Sequence, residues 1–158
     1  MEHRCVGAES FRDQSRGRRV DAHAISEIEL DCGPCFGTCP VFRFTVSRHS
    51  GYTYVGRLHV EPLGSRAGGF PGSLFDRLAE ICVELRVLEL DDEYTSDFDD
   101  APSTLVTVRH NGGTKVIRSD LGDVGPVRLW AFTNLVEVTM RQVFEIEDRK
   151  PQPRRKKR

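Results

Sequence analysis

Three cysteines stand within eight residues, in the turn Cys32-Gly33-Pro34-Cys35-Phe36-Gly37-Thr38-Cys39-Pro40. Two chemistries are open to such a turn, thiol–disulfide exchange and metal ligation. Exchange through a Cys-x-x-Cys pair needs a thiolate held at a helix N-terminus, where the dipole and free amides stabilise the anion. Here Cys35 is followed by Gly37, Pro40 and then the β-prone run Val41 to Arg48, so no helix starts where the chemistry needs one. The spacing Cys32-x2-Cys35-x3-Cys39-Pro40 also matches the last three ligands of an iron–sulfur run, but its first thiolate is missing. A zinc site asks for less. Three Cys and one His suffice, and the fourth ligand is expected from His59 if the strand after the turn folds back beside Cys39. The candidate metal set is therefore Cys32, Cys35, Cys39 and His59, and it would be structural rather than catalytic. The plain alternative is a tight turn whose thiols pack as small apolar groups.

Other chemistry is scarce. The loop Asp91-Asp92-Glu93 to Asp97, Asp99 and Asp100 has carboxylates for calcium but neither the alternation nor the central Gly of a calcium loop, and Phe98 interrupts it. The chain has no Gly-x-Ser-x-Gly elbow and no Gly-Lys-Ser/Thr phosphate loop, and no histidine stands in a motif with a nucleophile. Gly64, Gly68, Gly69 and Gly72 read as a flexible loop. Cys82 sits on the apolar stripe of a helix and reads as a buried, inert thiol, while Cys5 is free.

The elements that must position the turn are set by periodicity. Ile28 and Leu30 alternate with Glu27, Glu29 and Asp31, the pattern of a half-buried strand. Val41 to Arg48 and Tyr52 to Leu58 form a hairpin around His49-Ser50-Gly51. A three-residue loop sets Val46 against Tyr54, Phe42 against Leu58 and His59 against Val41, gathering Phe42, Phe44, Val46, Tyr54 and Leu58 on one face. Ser73 is the expected N-cap of a first helix, with the stripe Leu74, Leu78, Ile81, Cys82, Leu85 and Leu88. A second hairpin joins Thr104–His110 to Thr114–Arg118 through Asn111-Gly112-Gly113. A last helix carries Leu129, Phe132, Val136, Met140 and Val143, with Trp130 beside them, and ends near Glu147. The order β-β-β-α-β-β-α predicts an α+β domain: an antiparallel sheet of about five strands with two helices on one face.

At Cys35-Phe36-Gly37-Thr38-Cys39-Pro40 and the strand after it, the sequence resembles a bacterial family catalogued only as a domain of unknown function. The resemblance continues through Gly51, Tyr54-x-Gly56, Tyr94 and Asp100-x-Pro102, and covers about residues 25–146. It implies a shared small α+β fold and no established activity. Cys32 lies outside the pattern.

Composition bounds the rest. Apolar residues make up 38% and charged residues 30% of 158, enough for one core, which the sequence places at 25–148. Residues 1–24 are polar, Arg-rich and expected to be disordered, and 149–158 form a basic tail. No apolar run approaches the ~20 residues of a membrane span. The start Met1-Glu2-His3-Arg4 lacks a leader's apolar stretch, so a cytoplasmic protein is expected. The net charge of −1 hides a gradient: seven basic side chains in 149–158 against a body near −9. Weak, sequence-blind nucleic-acid binding is therefore open to the tail alone, which has no aromatic residue for base stacking.

Taken together, the expected function is a small non-enzymatic binding or interaction domain for a protein or small-molecule partner. The first alternative is a thiol-redox or zinc protein built on the cysteine turn. The second is a nucleic-acid accessory acting through the tail. The charge gradient makes a first prediction: residues 149–158 give sharp, fast-relaxing NMR resonances, because two prolines and long side chains make ordering costly. Ordered contacts from Arg154 or Arg155 to the Asp91–Asp100 loop are the contrary result. If the tail holds DNA, deleting it abolishes binding, and log affinity falls with log salt at up to about −0.9 per neutralised phosphate.

Overall fold

The computed structural model describes residues 20–95 and 102–149. The N-terminal nineteen residues, Asp97, Asp99 and Asp100 of the acidic loop, and the tail from residue 150 lie outside them. Seven strands and two α-helices are arranged in the order β1 (Ile25–Cys32), β2 (Val41–Ser47), β3 (Gly51–Leu58), β4 (Gly64–Gly68), α1 (Gly72–Glu84), β5 (Glu93–Tyr94), β6 (Thr104–His110), β7 (Gly113–Ser119), α2 (Val127–Asp148). The strands form one sheet in the order β4-β3-β2-β1-β6-β7-β5. All neighbours are antiparallel except the short parallel pair β5–β7.

The class is α+β as expected, but the sheet is mixed and has seven strands instead of about five. The two additions are both at edges. The glycine-rich segment read as a flexible loop contains β4, which pairs with β3 through Tyr54↔Arg66 and its neighbours. Its sequence, Gly-Ser-Arg-Ala-Gly, lacks the β-branched and aromatic residues that mark strands, so pairing with β3 rather than propensity makes it one. β5 is two residues long and too short to show periodicity. Order also begins before Ile25, since Ala22–Ala24 form a 3-10 turn capped by the Asp21 carboxylate, which accepts from the His23 amide at 2.9 Å.

The β2–β3 hairpin has the expected faces and a three-residue loop, but its register is shifted by two residues. Val46 lies opposite Tyr52, Phe44 opposite Tyr54 and Phe42 opposite Gly56. Ser47 pairs with Gly51, whose φ of +82° lets the chain reverse directly after Arg48-His49-Ser50. Arg48 secures the turn by donating to the Ala22 and Ile25 carbonyls and to Asp76 on α1. A slip of two preserves side-chain parity, so the aromatic face survives and gains Tyr52. Leu58, expected in the core, is 49% exposed. A bulge between Val41 and Phe42 leaves Leu58, not His59, opposite Val41.

Both helices cover the same sheet face. Ile28, Leu30, Phe42, Phe44, Val46, Tyr52, Tyr54, Val106, Val108 and Ile117 from alternate strand positions join one buried cluster with the helical side chains. α1 contributes Phe75, Leu78, Ala79 and Cys82. It begins two residues earlier than expected, with Pro71 rather than Ser73 at the cap position. Leu85 and Leu88 lie past its last residue, because Arg86 takes a left-handed conformation (φ +53°) that keeps the helix from continuing. α2 buries all five expected residues and Phe144 as well.

The opposite sheet face is polar. Glu29 and Asp31 on β1 are met by Arg43 on β2 and Arg57 on β3, and Glu27 by Arg109 on β6. The core assigns a second prediction. Phe44→Ala and Leu78→Ala each lower unfolding free energy by about 2–5 kcal/mol in urea titrations, since both leave cavities between sheet and helix. Cys82→Ala costs noticeably less than Leu78→Ala, because a smaller group is lost. Near-zero loss at Phe44 would contradict the observed face.

Candidate functional site

At the end of the sheet carrying the cysteine turn, the space beneath α2 is not filled. Elsewhere the aromatic side chains occupy it: Tyr54 packs edge-on against Phe144 with ring centroids 4.9 Å apart, and Tyr52 lies 5.7 Å from the same ring. Here the facing positions carry Thr104, Ser119, Gly122 and Gly125, which have too little bulk to reach the helix. A cavity of about 200 Å³ results. Its walls come from four segments, only the last two of which are neighbours in sequence. Cys32, Cys39 and Pro40 flank the cysteine turn, Pro102 and Thr104 lie at the start of β6, Ser119 to Pro126 run from the end of β7, and Leu129, Trp130, Thr133, Asn134 and Glu137 come from α2.

The cysteine turn itself is closed. Cys35 and Cys39 form a disulfide with Cα atoms 5.7 Å apart. The small loop it makes projects Phe36, which is 87% exposed. Gly33 anchors the turn to the neighbouring strand: its amide donates to the Ser103 carbonyl at 2.7 Å, and a Cβ there would overlap the Ser103 hydroxyl. A larger residue there would force the Ser103 side chain to move. Cys32, next to the turn, is a buried free thiol. Burial pushes its pKa up to about 12, aided by the negative charges of Glu137 and Asp31 and opposed by a hydrogen bond with Thr104. A thiol so shifted is the reverse of an activated nucleophile. Burial alone pushes Cys82 up to about 12 as well, as expected of an inert thiol on the core face of α1.

The four proposed metal ligands are not gathered. Cys35 and Cys39 are bonded to each other, Cys32 points into the cavity wall, and His59 is exposed beyond the end of β3 in a left-handed conformation (φ +53°). Among the described residues no three His, Cys, Asp or Glu side chains converge as a metal-ligand group. The cysteine turn is nevertheless part of the site, since Cys32 and Cys39 both line the cavity.

Sequence reasoning missed the α2 wall. Trp130, Thr133, Asn134 and Glu137 recur at i, i+3, i+4 and i+7, one continuous strip beside the core stripe, and that spacing is the signal that could have found it. Trp130, expected beside the core residues, is 45% exposed. The Thr133 hydroxyl and the Asn134 amide both donate to the Trp130 carbonyl, at 3.0 and 2.8 Å. Arg141 holds Glu137 at 3.0 Å from the next turn. A second groove, lined by Leu63, Arg66, Arg141 and Phe144, is larger but open, and Arg66 is already engaged by Asp148 at 2.8 Å and stacked over Phe144 at 4.6 Å.

The thiols generate a third prediction. Without reductant, native protein exposed to iodoacetamide leaves Cys32, Cys35, Cys39 and Cys82 unmodified in peptide maps, and reduction opens Cys35 and Cys39. Alkylation of all three turn cysteines in unreduced protein is the contrary result. The pH dependence has a definite sign. Cys32 and Cys82 have folded pKa values raised from 9.0, and Tyr52, buried and bonded to Glu147, is raised from 10.0 to about 12. Their contribution is complete below pH 9 and is lost as pH climbs toward 12, because the unfolded chain ionises first. Cys82→Ala therefore flattens the alkaline decline of stability measured by urea unfolding.

No curated protein matches the chain. A family model does, over residues 26–139, which span β1 to the middle of α2 and include every described segment that walls the cavity. The chain belongs to that family, described as a domain of unknown function (DUF6438).

Proposed function

We propose that this is a non-enzymatic binding domain whose ligand enters the cavity between the disulfide loop and the first turns of α2. The observation that carries the reading is the composition of the cavity wall. Apolar groups (Leu129, Trp130 and three prolines) alternate with a few polar ones (Thr104, Ser119, Asn134), the mixture that small-molecule sites use for affinity and orientation. Its volume exceeds the roughly 150 Å³ that accepts a benzene-sized guest. The disulfide and the Gly33 anchor hold one wall in place, which lowers the entropy lost on binding.

Several features support binding over catalysis. Among the described residues, the one free thiol in the wall has its pKa pushed the wrong way for a nucleophile, and no histidine lines the cavity. Thiol–disulfide exchange is a second reading, favoured by one observation: the Cys35–Cys39 disulfide lies in a partly exposed turn. Against it, β2 rather than a helix comes after the pair, so no helix N-terminus is there to lower the pKa of either thiol once reduced. A disulfide persists in oxidising surroundings, which weighs against the cytoplasmic expectation. No described helix is long and apolar enough to cross a membrane.

An NMR screen of the full chain with a library of fragments of about 8–12 heavy atoms tests the binding reading. The expected outcome is saturable shifts of the Trp130 indole and of Thr104 and Thr133 amides, abolished by Thr133→Phe, which fills the cavity without altering the core stripe. Shifts clustered elsewhere, or unaffected by that substitution, would overturn it.

A further inference from the structure

The cavity wall is held unevenly. The ends of β6 and β7 and the first turns of α2 are fixed by ladder bonds, helical bonds and core packing. Pairing along β1, by contrast, stops at Cys32 and resumes on β2 at Val41. Between them, segment 33–40 supplies Cys39 and Pro40 to the wall. Among the described residues, its backbone reaches the rest of the sheet through one hydrogen bond, from the Gly33 amide to the Ser103 carbonyl at 2.7 Å. A second, from the Gly37 amide to the Cys35 carbonyl at 2.9 Å, stays inside the loop. The segment adds no side chain to the buried core, and Phe36 at its tip is 87% exposed. What else restrains it is the Cys35–Cys39 bridge, which joins residues four apart. A cross-link contributes more to global stability the longer the loop it closes, so one this short acts mainly on the local shape of the turn. Both bridge cysteines are partly exposed, within reach of a dissolved thiol, whereas Cys32 is a buried free thiol on the same cavity wall.

Resting on the binding reading above, we propose that the Cys35–Cys39 disulfide is a redox gate on the cavity: bonded, it holds the wall in the shape that receives a guest; reduced, it releases segment 33–40, weakens binding and opens Cys32 to solvent. The bridge is then a regulator of the site and not a catalyst. A guest that meets a mobile wall must order it on binding, a cost that the bonded form has met in advance. The co-reactant is a dithiol. One of its thiolates attacks a bridge sulfur, and the other cysteine leaves as a thiolate and takes up a proton. The second reductant thiolate attacks the resulting mixed disulfide and frees the first cysteine, which is protonated in turn. Two electrons thus pass from the dithiol, which ends as a disulfide, to Cys35 and Cys39, which end as thiols.

The test uses the full-length chain with benzyl alcohol as the guest, in three states: oxidised, reduced with dithiothreitol, and reoxidised after the reductant is removed. Saturable NMR shifts of the Thr104 and Thr133 amides give the affinity. A brief iodoacetamide pulse and peptide mapping give the reactivity of Cys32, with Cys82 on α1 as the control for unfolding. Burial pushes the Cys32 thiol up to about 12 from 9.0, so solvent access restores thiolate and speeds alkylation. The expected result is that reduction weakens benzyl alcohol about tenfold or more, speeds Cys32 alkylation about tenfold or more and leaves Cys82 protected, and that reoxidation reverses both changes. Cys35→Ser combined with Cys39→Ser reproduces the reduced behaviour without reductant. Should that variant fold poorly, the dithiothreitol arm decides alone. If benzyl alcohol fails and a library fragment binds, that fragment is titrated in its place. Equal affinity in the two forms, tighter binding after reduction, or Cys32 equally protected in both overturns the gate while leaving a binding cavity. Cys82 modified together with Cys32 also overturns it, because the bridge then holds the whole fold and not the wall. If no probe or fragment enters either form, the binding reading falls and the gate falls with it.

Discussion

The structure depends on one strand being paired on both sides. β1 lies between β2 and β6, six residues matched on one edge and seven on the other, and it alone joins the N-terminal meander to the C-terminal hairpin. Ile28, Leu30 and Cys32 on its inner face are in the centre of the core, and Glu27, Glu29 and Asp31 are on the outer face. A one-residue slip of this strand would reverse both sets at once, burying three carboxylates and exposing the apolar positions. The hydrophobic requirement therefore fixes the register of the whole sheet through a single element. It also sets where β1 ends, and so places Cys32 and the turn beyond it at one end of the domain.

That end differs physically from the other. Around Tyr52, Tyr54 and Phe144 the gap between sheet and helix is filled by rings whose polar tips are satisfied. Tyr52 donates to Glu147, Tyr54 donates to the Pro62 carbonyl at 3.1 Å, and Arg66 lies over Phe144. Such an arrangement leaves no enclosed space between sheet and helix, only the open groove beside Phe144. Near the cysteine turn small residues face the helix, while the disulfide and the Gly33–Ser103 hydrogen bond keep the wall from collapsing inward. One sheet and one helix thus give a packed end and an unfilled end.

Charge is handled locally rather than by a field. Many carboxylates of the acidic body are nevertheless met at short range on the described surface. Asp31 has Arg43 and Arg57, Asp76 has Arg48, Asp92 has Lys115, and Asp120 has Arg118. Most of these pairs are well exposed on at least one side and add little stability each. Their effect is on placement: Arg48 ties the β2–β3 turn to α1, and Arg66 ties β4 to the end of α2.

The sequence by itself determined the parts that repeat. Alternation around Ile28 and Leu30, the 3.6-residue stripe of Leu129, Phe132, Val136 and Met140, and the Asn111-Gly112 turn each carry a local period or a required backbone shape, and all appear where expected. Hairpin parity was also legible, because Phe42, Phe44 and Val46 must share a face in any register that buries them. Only the tertiary structure decided the rest. β4 and β5 are strands because a neighbouring edge offers hydrogen bonds, a fact absent from Gly-Ser-Arg-Ala-Gly or Glu-Tyr taken alone. The shift of two in the hairpin came from Gly51 pairing with Ser47 and leaving Arg48 in the turn, where it bonds to the Ala22 and Ile25 carbonyls. Whether three nearby thiols would meet a metal, a partner thiol or nothing depended on distances between their Cα atoms that spacing does not specify, and Cys35 found Cys39 while Cys32 turned inward. The cavity is the extreme case. It exists where small residues at the start of β6 and after β7 face one helix beside the cysteine turn, and a hole of that kind has no signature in any one of them.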